Sequence, residues 1–173
     1  MSFLSALMDP MVELRQATHP EDAREIAGLA STIWREHYTP IIGKAQVEYM
    51  LERFQSAAAI ADQIKGGMQY YLILSGGHAV GYLAFEKQGE GLFLSKIYLL
   101  NEFRGKGLGR EAMEFISREA RDRGCSTISL TVNKNNTRSI AAYEGMGFKK
   151  KEALVMDIGG GFVMDDYRME KAL

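Results

Sequence analysis

Ala23, Ile26, Ala27, Ala30, Ile33 and Trp34 recur every three or four positions, a spacing that lays one side of a helix on a core. Thr18, with Pro20 and Glu21 behind it, predicts the start of that helix: Thr and an acid three residues on form a capping-box pattern, and Pro suits a first turn. Thr39-Pro40 and Gly43 predict a break, after which Val47, Met50, Leu51 and Phe54 resume the helical spacing and residues 57–64 continue it. Ahead of this region, residues 12–17 predict a short strand. Beyond it the period changes. Residues 70–74 and 79–86 read as two strands joined at Gly76-Gly77, a hairpin, and residues 88–91 turn into a third apolar run, 92–100. From Glu111 the helical spacing returns at Ala112, Phe115, Ile116 and Ala120 and stops at Gly124. Residues 127–132 predict a buried strand, 136–146 a short helix closed by Gly147-Phe148, and 149–158 with 162–171 a last hairpin around three glycines.

The predicted order is β-α-α-β-β-β-α-β-α-β-β, a mixed α/β (α+β) arrangement with a strand–helix–strand crossover between hairpins. Residues 12–173 fit one domain, and residues 1–11, apolar but without a basic start, read as an N-terminal extension. The single cysteine, Cys125, permits no internal disulfide and fits a reducing, cytoplasmic setting. A net charge of −1 gives no broad basic face for nucleic acid, and no apolar run approaches the roughly 18 residues of a membrane span. Three histidines and one cysteine, none at ligand spacing, predict no metal site.

The most informative segment is Arg104-Gly-Lys-Gly-Leu-Gly-Arg110, between the 92–100 run and a helix. A glycine-rich turn there leaves successive backbone N–H groups free at the positive end of a helix dipole, which suits a phosphate or pyrophosphate. Alone the turn is ambiguous. Gly107-x-Gly109-x-x-Ala112 loosely fits the dinucleotide fingerprint, but no acid follows Val132 to hold a ribose, and the turn lies behind two hairpin strands rather than opening the fold. A Walker loop is ruled out, because Gly107 stands where Lys106 would need a following Ser or Thr. A ligand-free connection remains open at this point.

One strand further on, Asn136-x6-Tyr143-x3-Gly147-Phe148 accompanies Arg104-x-x-Gly107-x-Gly109. Together these motifs resemble the GNAT family of acetyl-CoA-dependent N-acetyltransferases, closely over residues 80–150, and the order of elements is similar throughout. The resemblance implies the family's acyl-CoA N-acyltransferase fold, a mostly antiparallel central sheet flanked by helices. It implies that the backbone of Arg104, Gly105, Lys106, Gly107, Leu108 and Gly109 binds the coenzyme A pyrophosphate, with added charge from Lys106 and Arg110. Ile97, Tyr98 and Leu99 would hold the pantetheine arm like an added strand, one backbone N–H polarising the thioester carbonyl. The arm would enter between splayed strands 92–100 and 127–132. Asn136 matches a cofactor contact, and Tyr143 matches the tyrosine that serves as general acid for the departing thiolate; a half-buried packing tyrosine is its alternative.

Both positions where relatives carry a glutamate base lack one here. The first reads Leu94-Ser95-Lys96 and the second is Thr131. Ser95, Glu86, Glu36 and His37 are the remaining candidates, with a water relay as the other route. The family builds its acceptor site from the first two helices and the last hairpin. Glu36, Asp165 or Asp166 would then receive an ammonium group, and Trp34 or Tyr38 a cation–π contact. Each also fits a plainer role, Trp34 in the core and the acids in solvent. The resemblance implies direct transfer to a small primary amine, polyamine-like from the text of the first helices and the last hairpin. It leaves two alternatives: a non-catalytic acyl-CoA-binding module, or transfer to a protein N-terminus or lysine. The last hairpin is an edge on which family members often dimerise.

Overall fold

The computed structural model describes residues 12–173, so the expected N-terminal extension lies outside the described residues. The elements are β1 (Glu13–Gln16), α1 (Pro20–Ile42), α2 (Lys44–Phe54), α3 (Ala57–Lys65), β2 (Gln69–Ser75), β3 (His78–Gln88), β4 (Gly91–Leu99), α4 (Leu108–Asp122), β5 (Thr127–Asn133), α5 (Thr137–Gly145), β6 (Lys149–Gly159) and β7 (Phe162–Ala172), with a 3₁₀ turn at Asn101–Phe103. The strands form one seven-stranded sheet in the order β1-β2-β3-β4-β5-β7-β6. Every neighbouring pair is antiparallel except β4 and β5, which run parallel because α4 crosses between them.

Strand alternation sends side chains to two cores. Tyr71, Ile73, Leu83, Phe85, Leu92, Leu94, Ile128 and Leu130 pack with Leu108, Ala112, Ile116 and Ile140 of α4 and α5. Tyr70, Leu72, Leu74, Tyr82 and Ala84 pack with Ile26, Ala30, Ile33 and Trp34 of α1, Val47 and Met50 of α2 and Ile60 of α3. Burying both faces of the sheet is what the dense apolar text of β2 and β3 requires.

Four local features depart from the sequence expectation. The cap of α1 is His19, not Thr18. Asp22, not Glu21, reaches back, accepting from the backbone N–H of Thr18 and His19 at 3.0 and 3.1 Å. The Thr18 amide bond, set against burial, holds the Asp22 carboxyl below its ordinary range. The helix runs through Pro40 to Ile42, since a proline near a helix end disturbs few ladder bonds, and stops at Gly43 with φ 86°. Residues 57–65 form a separate third helix, capped by Ser56 Oγ accepting from the Ala59 N–H at 3.1 Å. Finally, α4 begins at Leu108 rather than Glu111, because Gly107 in the left-handed region (φ 84°) is its cap and buried Leu108 already belongs to its apolar stripe.

A buried polar chain ties α1 to the sheet. Trp34 Nε1 donates to Tyr82 Oη at 3.1 Å, and Tyr82 Oη donates to Gln55 Oε1 at 2.6 Å. Removing the hydroxyl leaves Trp34 Nε1 and Gln55 Oε1 without this partner inside the core. Tyr82→Phe is therefore expected to cost about 1–3 kcal/mol of unfolding free energy, measured by urea denaturation at constant m-value.

Candidate active site

The site begins as a failure of strand pairing. β4 and β5 are paired only at Gly91–Thr127, Leu92–Ile128 and Phe93–Ser129. Immediately beyond, Phe85 of β3 opposes Leu94 and Ala84 opposes Lys96, so Ser95 is an extra residue, a β-bulge that bends β4 away. The two strands diverge and a cleft of about 490 Å³ opens between them. The Leu100 N–H donates to Val80 O of β3 at 2.8 Å. By alternation, the Tyr98 N–H turns toward β3, whereas the N–H groups of Ile97 and Leu99 turn toward the cleft.

The glycine loop closes one end of this cleft. Gly105 and Gly107 have φ of 72° and 84°, a region that L side chains rarely adopt. With the chain turned this way, the backbone N–H groups from Gly105 to Arg110 have no acceptor among the described residues. The first helical bond of α4 is Glu111 N–H to Gly107 O. Unpaired amides, a helix N-terminus and an open strand edge along one cleft fit a long anionic thioester.

Most of the residues singled out from the sequence meet here. Ile97, Tyr98, Leu99, Arg104, Gly105, Gly107, Gly109, Asn136, Tyr143 and Tyr38 all line the cleft. Lys106 is exposed on the loop, its Nζ 5.7 Å from the Phe103 ring centre, and the Leu108 side chain is buried in the α4 core. Three acceptor candidates lie elsewhere. Trp34 is a core residue bonded to Tyr82, Glu36 is exposed, and Asp165 points to solvent with its carboxylate 2.7 Å from Lys134 Nζ.

The phenols and the imidazole are set by desolvation. Burial raises the pKa of Tyr143, with the neighbouring Tyr38 adding to the shift, so its hydroxyl keeps its proton at neutral pH. Burial likewise raises Tyr38 and Tyr98, whose hydroxyl oxygens lie 3.4 Å apart. His37 is pushed down by burial and then by the Arg104 guanidinium. Arg104 Nη1 stands 2.9 Å from His37 Nδ1, and its Nε donates to Leu99 O at 3.2 Å. A guanidinium has no acceptor, so Nδ1 is the unprotonated nitrogen and His37 holds Arg104 rather than taking a proton there.

Sequence reasoning missed the Arg104–His37 pair and Arg138. No spacing rule links residue 37 to residue 104, and Arg138 has no signal beyond its place in the first turn of α5. Asp166, named as one of several acids, is the one the fold buries, at 3% exposure, on the same sheet face as Met164 and α1. Burial, with Asp165 beside it, lifts its pKa to about 6.

The chain belongs to the Acetyltransferase (GNAT) family, whose model matches residues 23–148. It is accordingly an N-acetyltransferase with acetyl-CoA as co-substrate. It is 31% identical over 72 residues to Thialysine N-epsilon-acetyltransferase of Bos taurus, a match that spans 41% of this chain and 42% of that protein's length. It is 25% identical over 154 residues to an uncharacterized N-acetyltransferase in the pepI 3' region of Lactobacillus delbrueckii subsp. lactis, covering 82% of this chain and 88% of that one. Its fold is similar to that of the PaiA N-acetyltransferase from Thermoplasma acidophilum, solved in complex with coenzyme A: TM-score 0.80, 19% identity, 94% of this chain and 99% of that one.

The buried Asp166 carries a pH signature. Its folded pKa, about 6, lies above the ordinary 3.8, so folding binds a proton between these values and stability falls as pH rises through that window. Asp166→Asn removes the cost of ionising a buried carboxylate. It is expected to raise the melting temperature at pH 8 by several degrees and to change it little at pH 4, by calorimetry at both pH values.

Proposed function

We propose that the protein transfers the acetyl group of acetyl-CoA directly to a small primary amine bound in the same cleft. The observation that carries this reading is the cleft itself: an unpaired β4 edge runs from the glycine loop to a protonated phenol, Tyr143. Acetyl-CoA supplies an activated acetyl group. The amides of Gly105 to Gly109 and Arg110, with Lys106 adding charge, hold the pyrophosphate at the α4 N-terminus. The free backbone edge at Ile97 and Leu99 holds the pantetheine arm, and Asn136, the cap residue ahead of α5, contacts it. The Ile97 N–H is placed to donate to the carbonyl oxygen as negative charge develops there. Tyr143 Oη donates to the departing sulfur, and burial keeps that proton in place until it is needed.

Among the described residues no carboxylate lines the cleft. An ammonium acceptor therefore loses its proton to water, through the polar groups of Ser95, Thr131, Asn136 and Tyr38. The relative named for N-epsilon acetylation of thialysine supports a small-molecule amine over a protein N-terminus. The acceptor approaches from the α1 side, past Tyr38. In this reading the protein works in the cytoplasm, consistent with its one buried thiol, Cys125, and needs no nucleic acid or membrane. A second copy pairs along the β6–β7 hairpin, where Val155, Met156 and Val163 are 65, 52 and 48% exposed.

Two variants test the assignment. Tyr143→Phe is expected to lower kcat by about 100-fold or more, with acetyl-CoA affinity nearly unchanged by calorimetry; undiminished turnover removes the acid role. Gly107→Glu forces a side chain onto a left-handed position and adds a negative charge where the pyrophosphate sits. Its acetyl-CoA Kd is expected to rise by more than about 100-fold, and unchanged binding by a folded variant places the cofactor elsewhere.

A further inference from the structure

The charge of the cleft points away from a polycationic acceptor. Among the described residues its lining includes Lys96, Arg104, Arg110 and Arg138 and no aspartate or glutamate; Asp166, Glu36 and Glu86 act on it only from outside that lining. These cations divide by location. Arg110 is in the first turn of α4 beside the glycine loop, and Arg138 opens α5. Arg104 is engaged by His37 and by Leu99 O. Lys96 is different. It opposes Ala84 of β3, so it projects from the same sheet face as Ala84 and Tyr82, the face covered by α1 to α3.

On that face Lys96 Nζ donates to Ser95 Oγ at 2.9 Å and lies 5.6 Å from the Tyr70 ring centre. Among the described residues it makes no ion pair within 4.0 Å. Glu86 attracts it only from beyond that distance. Burial lowers its pKa to about 8, which still leaves it mostly an ammonium ion at pH 7. A desolvated cation with no carboxylate in contact is costly unless a ligand supplies one. Lys96 also immediately precedes Ile97, whose N–H faces the cleft.

We propose that the acceptor is a primary amine that also carries a carboxylate, and that this carboxylate pairs with the Lys96 ammonium on the α1 side of the cleft. This rests on the acetyltransferase reading above. A diamine or polyamine would bring a second positive charge to the same place and be repelled. The amino-acid form of an acceptor is thus preferred over its decarboxylated form.

The test is thiol release from acetyl-CoA with matched pairs: lysine against 1,5-diaminopentane, ornithine against 1,4-diaminobutane, leucine against isopentylamine. The full chain is expected to favour the carboxylate-bearing member of a pair by about tenfold or more in kcat/KM, through KM. Lys96→Met is expected to bring that ratio to about one, Lys96→Arg to keep most of it, and Lys96→Glu to reverse it. Equal use of both members by the wild-type chain, or preference for the diamine, overturns the proposal while leaving the acetyltransferase reading intact. An undiminished ratio in a folded Lys96→Met protein overturns the role of Lys96. No thiol release with any amine, despite acetyl-CoA binding, overturns the transferase reading and this inference with it. Should Lys96→Met not fold, the wild-type ratio together with that of Lys96→Glu or Lys96→Arg decides.

Discussion

Everything the cleft contains depends on one interrupted ladder. β4 and β5 share three residue pairs and then part, because Ser95 is one residue too many for its partner strand. A sheet normally satisfies its own N–H and C=O groups, and a strand edge left open inside a fold is costly unless something pairs with it. Here the open edge lies in the middle of the sheet, not at its rim. It is enclosed on the other sides by α1, by the glycine loop and by α5. The fold keeps this gap open by paying elsewhere: two cores, one on each face, bury the sheet on both sides of the divergence.

The same gap sets the protonation of the groups around it. Tyr38, Tyr98 and Tyr143 are all raised and His37 is lowered, in each case first by burial. Loss of water around these groups keeps the phenols protonated and the imidazole unprotonated. The unprotonated Nδ1 of His37 is taken by Arg104, so the site offers hydrogen bonds and fixed dipoles rather than a side-chain base. Among the described residues its lining also holds no carboxylate, and in the reading proposed above proton removal from the acceptor falls to solvent.

What the sequence made legible follows from how local each signal is. The order of strands and the hairpins could be read because period-2 runs and paired glycines act over a few residues. The glycine loop could be read because backbone N–H groups are exposed by turn geometry, which glycine spacing reports directly. The start of α1 shifted by one residue because Thr18 and His19 compete for the cap, and the decisive bond comes from Asp22, an acid next to the one expected. Ser95 gave no sign of being a bulge, since a bulge is a mismatch between two strands and appears in neither alone. The pairing of Arg104 with His37 spans 67 residues and depends on how α1 crosses the sheet. Asp165 and Asp166 are chemically alike in the text, and only strand alternation sends one to Lys134 and solvent and the other inward.

That contrast extends to the two halves of the chemistry. In the proposed reading the co-substrate is held by main-chain groups on β4 and at the α4 N-terminus, and main-chain recognition tolerates almost any side chain beyond the glycines. A few motif residues therefore suffice to announce it. The acceptor meets side chains on the opposite face of the same strands, where each residue can change without disturbing the ladder. Position 96 pairs with Ala84 through the main chain, so in the acceptor reading proposed above its side chain decides which second charge an amine carries into the cleft while the ladder is left to the backbone. In that reading the acceptor depends on single side chains rather than on the main chain, and for this reason it is the last feature to be read from sequence.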